Sequence, residues 1–358
     1  MNEVEIKKAL VVKPSSLGDV VHSLPFLHSL KKCFPGLRVH WVIAEPLKDL
    51  LEGHPLIEKL WVIKKDNWKK PARIFETLSE FKALSKNLKK ERFDIAFDLQ
   101  GLLRSGIIIK SSGAKVRVGF KEAREGGHLF YTHKVEGGKG IHAVERYLKL
   151  AESIAPGVLC QTEIEFPLIR AKDFTPPFKE YAVLAPGARW ASKRWPAGDF
   201  GKLAAMLPLK SVIIGSNSEK ALADEVARTS GGNAVSFAGK SGLKELVELI
   251  RQARFMVTND SGPMHIAAAL GVPVFAVFGP TDPALTGPYG KGMRVVLREK
   301  ADCAPCRNRD CPDMKCMRAI TPERLLEEIK RAIFPLHIHP HPHPPPSRGR
   351  GPKGGMLQ

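Results

Sequence analysis

Apolar residues run along this chain in short continuous blocks, and each block is followed by a stretch with helical spacing. In the first half the blocks KALVVK (8–13), VHWVIA (39–44), LWVI (60–63) and DIAFD (94–98) read as strands. Helical patterns over 19–33, 72–90 and 142–154 lie between or after them. The second half repeats the arrangement, with strands at 181–185, 211–215, 255–258 and 273–278 and helices at 198–207, 218–229, 242–253 and 262–270. Strands that are apolar on both faces and joined by helices belong to parallel sheets covered on both sides. Two such sets predict an α/β protein of two Rossmann-like domains, each with its ligand edge at the strand C-termini.

Pro176-Pro177, in PLIRAKDFTPPFKE (167–180), interrupts any regular element. The expected division is an N-terminal domain over 1–170, a linker over 171–180 and a C-terminal domain over 181–335. A last helix is expected from Pro322 to Phe334. The His-, Pro- and Gly-rich tail over 336–358 has little to bury and is predicted to be disordered and solvated.

Composition changes this picture in two respects. Hydrophobic residues make up 43% and charged residues 26%, as in an ordinary soluble protein. No run reaches the ~18 uninterrupted apolar residues of a membrane span, and no secretory leader is visible, so the chain reads as cytosolic. The formal net charge is +19, from 56 basic and 37 acidic residues. That surplus points to nucleic acid, phospholipid head groups or phosphorylated substrates as partners, unless it is only a lysine-rich surface.

Candidate chemistry gathers where strands hand over to helices. In KPSSLGDVVHSLP (13–25) a lone acid, Asp19, stands before a helix in an open loop with Ser15, Ser16 and Gly18. It either caps that helix or takes a proton from a substrate. In VTNDSGPMH (257–265) a polar turn opens a helix whose free N–H groups and dipole suit an anion. Asp260, Ser261, Gly262 and His265 lie there. LAPGARWASKRWP (184–196) brings Arg189, Lys193 and Arg194 beside Trp190 and Trp195, cations suited to phosphate and rings that stack or pack. Ser216 and Glu219 follow the next strand, where a carboxylate accepts ribose hydroxyls or serves a helix dipole. No GxGxxG motif follows a strand, and no P-loop motif or D-x-D pair is present. Nucleotide phosphates would then be held by Lys193, Arg189 and the helix end at Gly262, with no metal ion required for transfer.

Taken together, KPSSLGDVVHSLP, FDLQGLLRS (97–105), ASKRWP (191–196), NDSGPMHIAAALGVPVFAVFGPTDP (259–283) and the CxxC followed by CMRAITPE resemble glycosyltransferase family 9, the ADP-heptose:lipopolysaccharide heptosyltransferases. The likeness covers most of residues 8–330. It implies a GT-B fold, two Rossmann-like domains facing across a cleft with the donor on the C-terminal one. It implies inverting transfer of heptose from ADP-heptose to Kdo-lipid A or its first heptose. Asp19 matches the family's general base, and Lys193, Glu219, Asp260, Ser261, Gly262 and His265 match donor-binding positions. Lys193 would also stabilise the departing diphosphate. Arg189-Trp190 departs from the threonine and arginine common in the heptosyltransferase I pattern. SLGDVVHSLP is closer to heptosyltransferase I, and the cysteine segment to heptosyltransferase II.

Acceptor contacts are expected from Ser15, Ser16, His22, Gln100, Arg104, Lys121 and Arg124, since arginine pairs with carboxylates and phosphates alike. WVIKKDNWKKPAR (61–73) reads as a basic membrane-surface patch unless Trp68 simply packs. The expected enzyme is a monomer at the cytoplasmic face of the inner membrane, with an ADP-sugar and an anionic lipid as partners and no nucleic acid. Cys303, Cys306, Cys311 and Cys316 read as reduced thiols or a disulfide pinning a loop, with structural zinc or an iron–sulfur cluster as the alternatives. The rival readings are a GT-B transferase for another sugar or acceptor, and a basic nucleic-acid-binding protein with a metal module. The second leaves Asp19 and the NDSGPMH turn without a task.

Overall fold

A computed structural model describes residues 6–65, 68, 73–138, 140–156, 163–171, 173–299 and 301–334. The tail over 336–358, Cys160 and much of 66–72 lie outside the described residues. The first sheet contains β1 (Lys8–Val12), β2 (Arg38–Ala44), β3 (Lys59–Ile63), β4 (Ile95–Asp98), β5 (Val116–Phe120) and β6 (His133–Val135). The second contains β7 (Tyr181–Ala185), β8 (Lys210–Ile213), β9 (Ala234–Ser236), β10 (Phe255–Asn259), β11 (Val274–Phe278) and β12 (Arg294–Arg298).

The strand orders are β3-β2-β1-β4-β5-β6 and β12-β11-β10-β7-β8-β9, with every neighbouring pair parallel. Numbered from its own first strand, each sheet runs 3-2-1-4-5-6, the doubly wound Rossmann order. Its ligand crevice opens where the winding reverses, beside the C-termini of the first and fourth strands. Val12 of β1 lies beside Asp98 of β4, and Ala185 of β7 beside Thr258 of β10. The loops carrying Asp19 and Gln100 therefore leave the first sheet side by side. Those carrying Lys193 and Gly262 do the same on the second.

Both central strands are apolar throughout because helices cover both faces. One apolar cluster runs from Val11 and Phe97 through Val20, Val21 and Leu24, then Met264 and Ala267, to Val183 and Met256. The two halves thus share a core through helices Leu17–His22 and Gly262–Ala269.

Two expectations need correction. The helix expected over 19–33 is two helices, Leu17–His22 and Leu24–Cys33, because Pro25 at the head of the second has no N–H to continue the first. Strands β5, β6, β9 and β12 and helix Leu103–Ser111 were not predicted.

Candidate active site

Asp19 is the third residue of helix Leu17–His22, and its two carboxylate oxygens do different things. Oδ2 accepts the Ser16 backbone N–H at 2.9 Å and the Ser16 hydroxyl at 2.6 Å, a capping arrangement. Oδ1 lies 3.9 Å from Lys13 Nζ and accepts from the Tyr147 hydroxyl at 3.5 Å. The Asp19 side chain is 42% exposed. Capping and availability for proton transfer therefore coexist, one on each oxygen. Burial pushes the Asp19 carboxyl up, but the Lys13 ammonium, the Ser16 bonds and His265 outweigh it and hold it below its ordinary range. Lys13 shows the mirror image: burial pulls it down, and Asp19, Tyr147 and Asp98 together keep it raised.

A cavity of about 390 Å³ opens beside Asp19, lined by Lys13, Gln100, Arg124, Arg146 and Tyr147 among others. Its floor is fixed by Asp98, fully buried at the end of β4. The Asp98 carboxylate accepts the Gln100 N–H at 2.9 Å, the Gly101 N–H at 3.0 Å and the Tyr131 hydroxyl at 2.7 Å. Gly101 sits at φ +67°, which glycine adopts without strain, and this lets the chain turn Gln100 into the cavity. Arg146 lies over the Phe120 ring at 4.3 Å and pairs with Glu122 at 3.8 Å, and its buried Nε has no hydrogen-bond partner among the described residues.

On the second sheet, Asn259 ends β10 and ties the neighbouring loop down. Its Oδ1 accepts the Trp195 N–H at 3.0 Å and its Nδ2 donates to the Pro186 carbonyl at 2.8 Å. Trp195 is fully buried and donates through Nε1 to the Ile320 carbonyl at 2.8 Å, so it packs. Trp190 instead takes Lys193 Nζ at 4.5 Å and the Arg309 guanidinium at 4.8 Å from its ring centre. Lys193 Nζ also donates to Asp260 Oδ2 at 2.5 Å, and Thr281 donates to the same oxygen at 2.7 Å. Ser261 caps helix Gly262–Ala269 through its backbone alone. A cavity of about 310 Å³ is lined there by Asp19, His22, Arg189, Lys193, Gly262 and His265 among others. A neighbouring cavity of about 460 Å³ runs on past Arg189 to Ser216, Glu219, Leu243 and Leu246. Glu219 Oε2 accepts the Ser216 N–H and hydroxyl, both at 2.8 Å.

Three histidines join the two halves. His22 stands edge-on to His265 at 4.1 Å and to His142 at 5.0 Å. His142 accepts the Val144 N–H at Nδ1, which makes Nε2 the protonated nitrogen that donates to the Gly287 carbonyl at 3.1 Å. Burial, then the other two rings and Lys13, hold His22 well below its usual range, and burial pushes His265 down to about 4.

Of the residues predicted from sequence, Asp19, Arg189, Lys193, Asp260, Ser261, Gly262 and His265 line one cavity, and Ser216 and Glu219 line its neighbour. Gln100 and Arg124 line the cavity on the other side of Asp19. His22 is buried among the histidines and lines the cavity with Lys193 and Gly262, not the one with Gln100 and Arg124. Ser16 is occupied by Asp19, and Ser15 takes Gln100 as an acceptor at 3.3 Å. Ser15 and Arg104 line a separate small groove with Trp68, which packs against Phe81. Lys121 is exposed and bonded to Glu136 at 2.9 Å, outside these cavities. Lys13, Tyr147, Arg146, His142 and Arg309 were missed. Lys13 alone carried a signal, as the residue opening the Asp19 loop.

The cysteine segment forms no ligand shell: among the described residues no group of three or more His, Cys, Asp or Glu is arranged to hold a metal ion. Cys303, Cys306, Cys311 and Cys316 are free thiols around a cavity of about 460 Å³, and Cys316 is turned into the core.

Two doubly wound sheets, with a carboxylate on one crevice and a cationic helix end on the other, define a glycosyltransferase of the GT-B type. Residues 81–317 match the model of glycosyltransferase family 9 (heptosyltransferase), and the chain belongs to that family. It is 29% identical over 349 residues to lipopolysaccharide heptosyltransferase 1 of Pseudomonas aeruginosa, covering 90% of this chain and 97% of that one. It is 30% identical over 297 residues to lipopolysaccharide heptosyltransferase 1 of Escherichia coli K12, covering 80% and 92%. The structure of E. coli heptosyltransferase WaaC with ADP-2-deoxy-2-fluoro heptose superposes with a TM-score of 0.75 at 26% identity, covering 90% of this chain and 99% of that one.

Proposed function

We propose that this enzyme transfers heptose from ADP-heptose to the lipopolysaccharide inner core, with inversion and with Asp19 as general base. The observation that carries the reading is that Asp19 lines both cavities, with Oδ2 tied to Ser16 and Oδ1 left for a proton. The acceptor hydroxyl gives its proton to Oδ1 as its oxygen bonds to the anomeric carbon. On the opposite side the bond from that carbon to the β-phosphate oxygen breaks, and ADP leaves with the electron pair. The helix end at Gly262, with Ser261, Arg189 and Lys193, receives the diphosphate. Glu219 and Ser216 serve the ribose, and Leu243 and Leu246 offer an apolar wall for the adenine. Two relatives named lipopolysaccharide heptosyltransferase 1, and a fold neighbour holding an ADP-heptose analogue, support this choice of donor and acceptor.

On the acceptor side Gln100, Arg124 and Arg146 suit the carboxylates of Kdo-lipid A. The N-terminal domain ends in the linker over 171–180, and the enzyme works as a monomer. It works at the cytoplasmic face of the inner membrane. Phe75 (85% exposed) and Leu129 (73% exposed) are exposed apolar side chains of the first half, and helix Ile74–Lys90 adds lysines, residue types suited to anionic lipid. Among the described residues no helix is long and apolar enough to cross a membrane.

The deciding experiment is ADP release from ADP-heptose with and without Kdo-lipid A. Release that depends on the acceptor supports the assignment. Binding without turnover on Kdo-lipid A but with turnover on its heptosylated form moves the acceptor one sugar outward. No affinity for any ADP-sugar overturns the assignment.

A further inference from the structure

Of the two cations expected from the sequence at the diphosphate end of the donor cavity, Arg189 pairs with no carboxylate among the described residues, whereas Lys193 does. Lys193 is committed to Asp260 at 2.5 Å, a carboxylate only 7% exposed, so much of its charge is already balanced. A leaving diphosphate gains negative charge as the glycosidic bond breaks, and that calls for a cation not already neutralised. Arg309 lines the same cavity as Asp19, Lys193, Gly262 and His265. Among the described residues no carboxylate pairs with it. Its guanidinium carbon lies over the Trp190 ring, 4.8 Å from the ring centre. A guanidinium held against a ring face by cation–π attraction keeps N–H donors for a further partner, and guanidinium is the side-chain group best suited to phosphate.

The loop that delivers Arg309 is held to the donor site rather than merely near it. Ser192, next to Lys193, donates its hydroxyl to the Asn308 carbonyl at 2.7 Å. The Arg307 N–H donates to the Pro280 carbonyl at 2.8 Å. Behind the loop, Cys316 is packed so closely on Gly279 that a Cβ there would lie 2.8 Å from its sulfur. The cysteine-bearing segment, which the transfer chemistry had left without a role, thus contributes Arg309 to the lining of the donor cavity.

We propose that Arg309 is a diphosphate-binding residue of the donor site, carried there by the cysteine-bearing loop. The proposal rests on the reading of the donor as a nucleotide diphosphate sugar. The test is calorimetric titration of the wild type, R309A and R309K with ADP, adenosine and inorganic pyrophosphate. K202A, which removes an exposed lysine elsewhere on the second half, controls for net charge. R309A should bind ADP and pyrophosphate about 10-fold or more weakly, with adenosine affinity and melting temperature unchanged. R309K should recover part of the loss, and K202A should match the wild type. ADP and pyrophosphate affinities of R309A within two-fold of wild type would overturn the proposal, as would an equal loss for adenosine. Pyrophosphate separates this proposal from the choice of donor. A wild type that ignored ADP would refute the donor assignment, and the pyrophosphate ratio would still decide Arg309.

Discussion

Gly18 and His265 belong to opposite halves of the molecule, and no methyl group fits between them: a Cβ on Gly18 would lie 2.2 Å from His265 Cδ2. One turn back on the second helix the relation is reciprocal, since a Cβ on Gly262 would lie 2.8 Å from Leu17 Cδ2. The helix carrying Asp19 and the helix that begins at Gly262 are therefore in direct contact, one glycine on each. G18A should destabilise the protein by about 1–3 kcal/mol through overpacking and lower turnover, because Asp19 is the next residue. In an ordinary helix the same change would stabilise by about 0.5–1 kcal/mol. Thermal melting read beside turnover distinguishes the two.

Lys13 holds the Asp19 carboxyl down, so the acid limb of the pH–rate profile should lie below the ordinary carboxylate range. K13M removes the cation that favours the carboxylate, and the limb should move to higher pH. Profiles of kcat/KM for the two proteins check this. An unmoved limb would remove Lys13 from the account.

The histidines make stability depend on pH in a stated direction. The folded values of His22 and His265 are depressed, so below about pH 6.5, and for His265 down to about 4, the unfolded chain binds more protons than the folded one. Stability is full above pH 6.5 and falls as pH drops through that window. For His265, with its value at about 4, the loss is on the order of 3 kcal/mol. H265N should flatten the fall measured by denaturant titration at several pH values.

Cys316 lies in the core beside Met317, and the other three thiols of the segment surround an open cavity. Chelation with EDTA should leave the melting temperature unchanged. C316S should lower stability by about 1–2 kcal/mol by placing a hydroxyl in an apolar site. Scanning calorimetry reads both.

The elements legible in the sequence were those with continuous apolar burial: β1, β4, β7, β10 and β11 are buried almost throughout, and the spacing located them within a residue or two. The edge strand β3 was legible from its apolar run at 60–63, whereas β6, β9 and β12 were not, because they are short or half exposed. β6 and β9 have three residues each, and β12 alternates in burial as RVVLR. Helix Leu103–Ser111 hid behind Gly106 and three consecutive isoleucines, a composition closer to a strand; Gly106 is there because Phe130 packs on it. At the site, Asp19 and the NDSGPMH turn were visible because the chemistry sits on strand-to-helix turns. Tyr147, Arg146, His142 and Arg309 come from distant parts of the chain and meet the site only through tertiary packing. No local pattern marks them.

The central claim is that Asp19 takes the acceptor proton. Asparagine at this position keeps an oxygen for Ser16 and removes the base, so D19N separates capping from catalysis. Turnover of ADP-heptose with Kdo-lipid A should fall about 10²–10⁴-fold, while ADP affinity stays at the wild-type value. Turnover within ten-fold of wild type would contradict the assignment of Asp19 as the base.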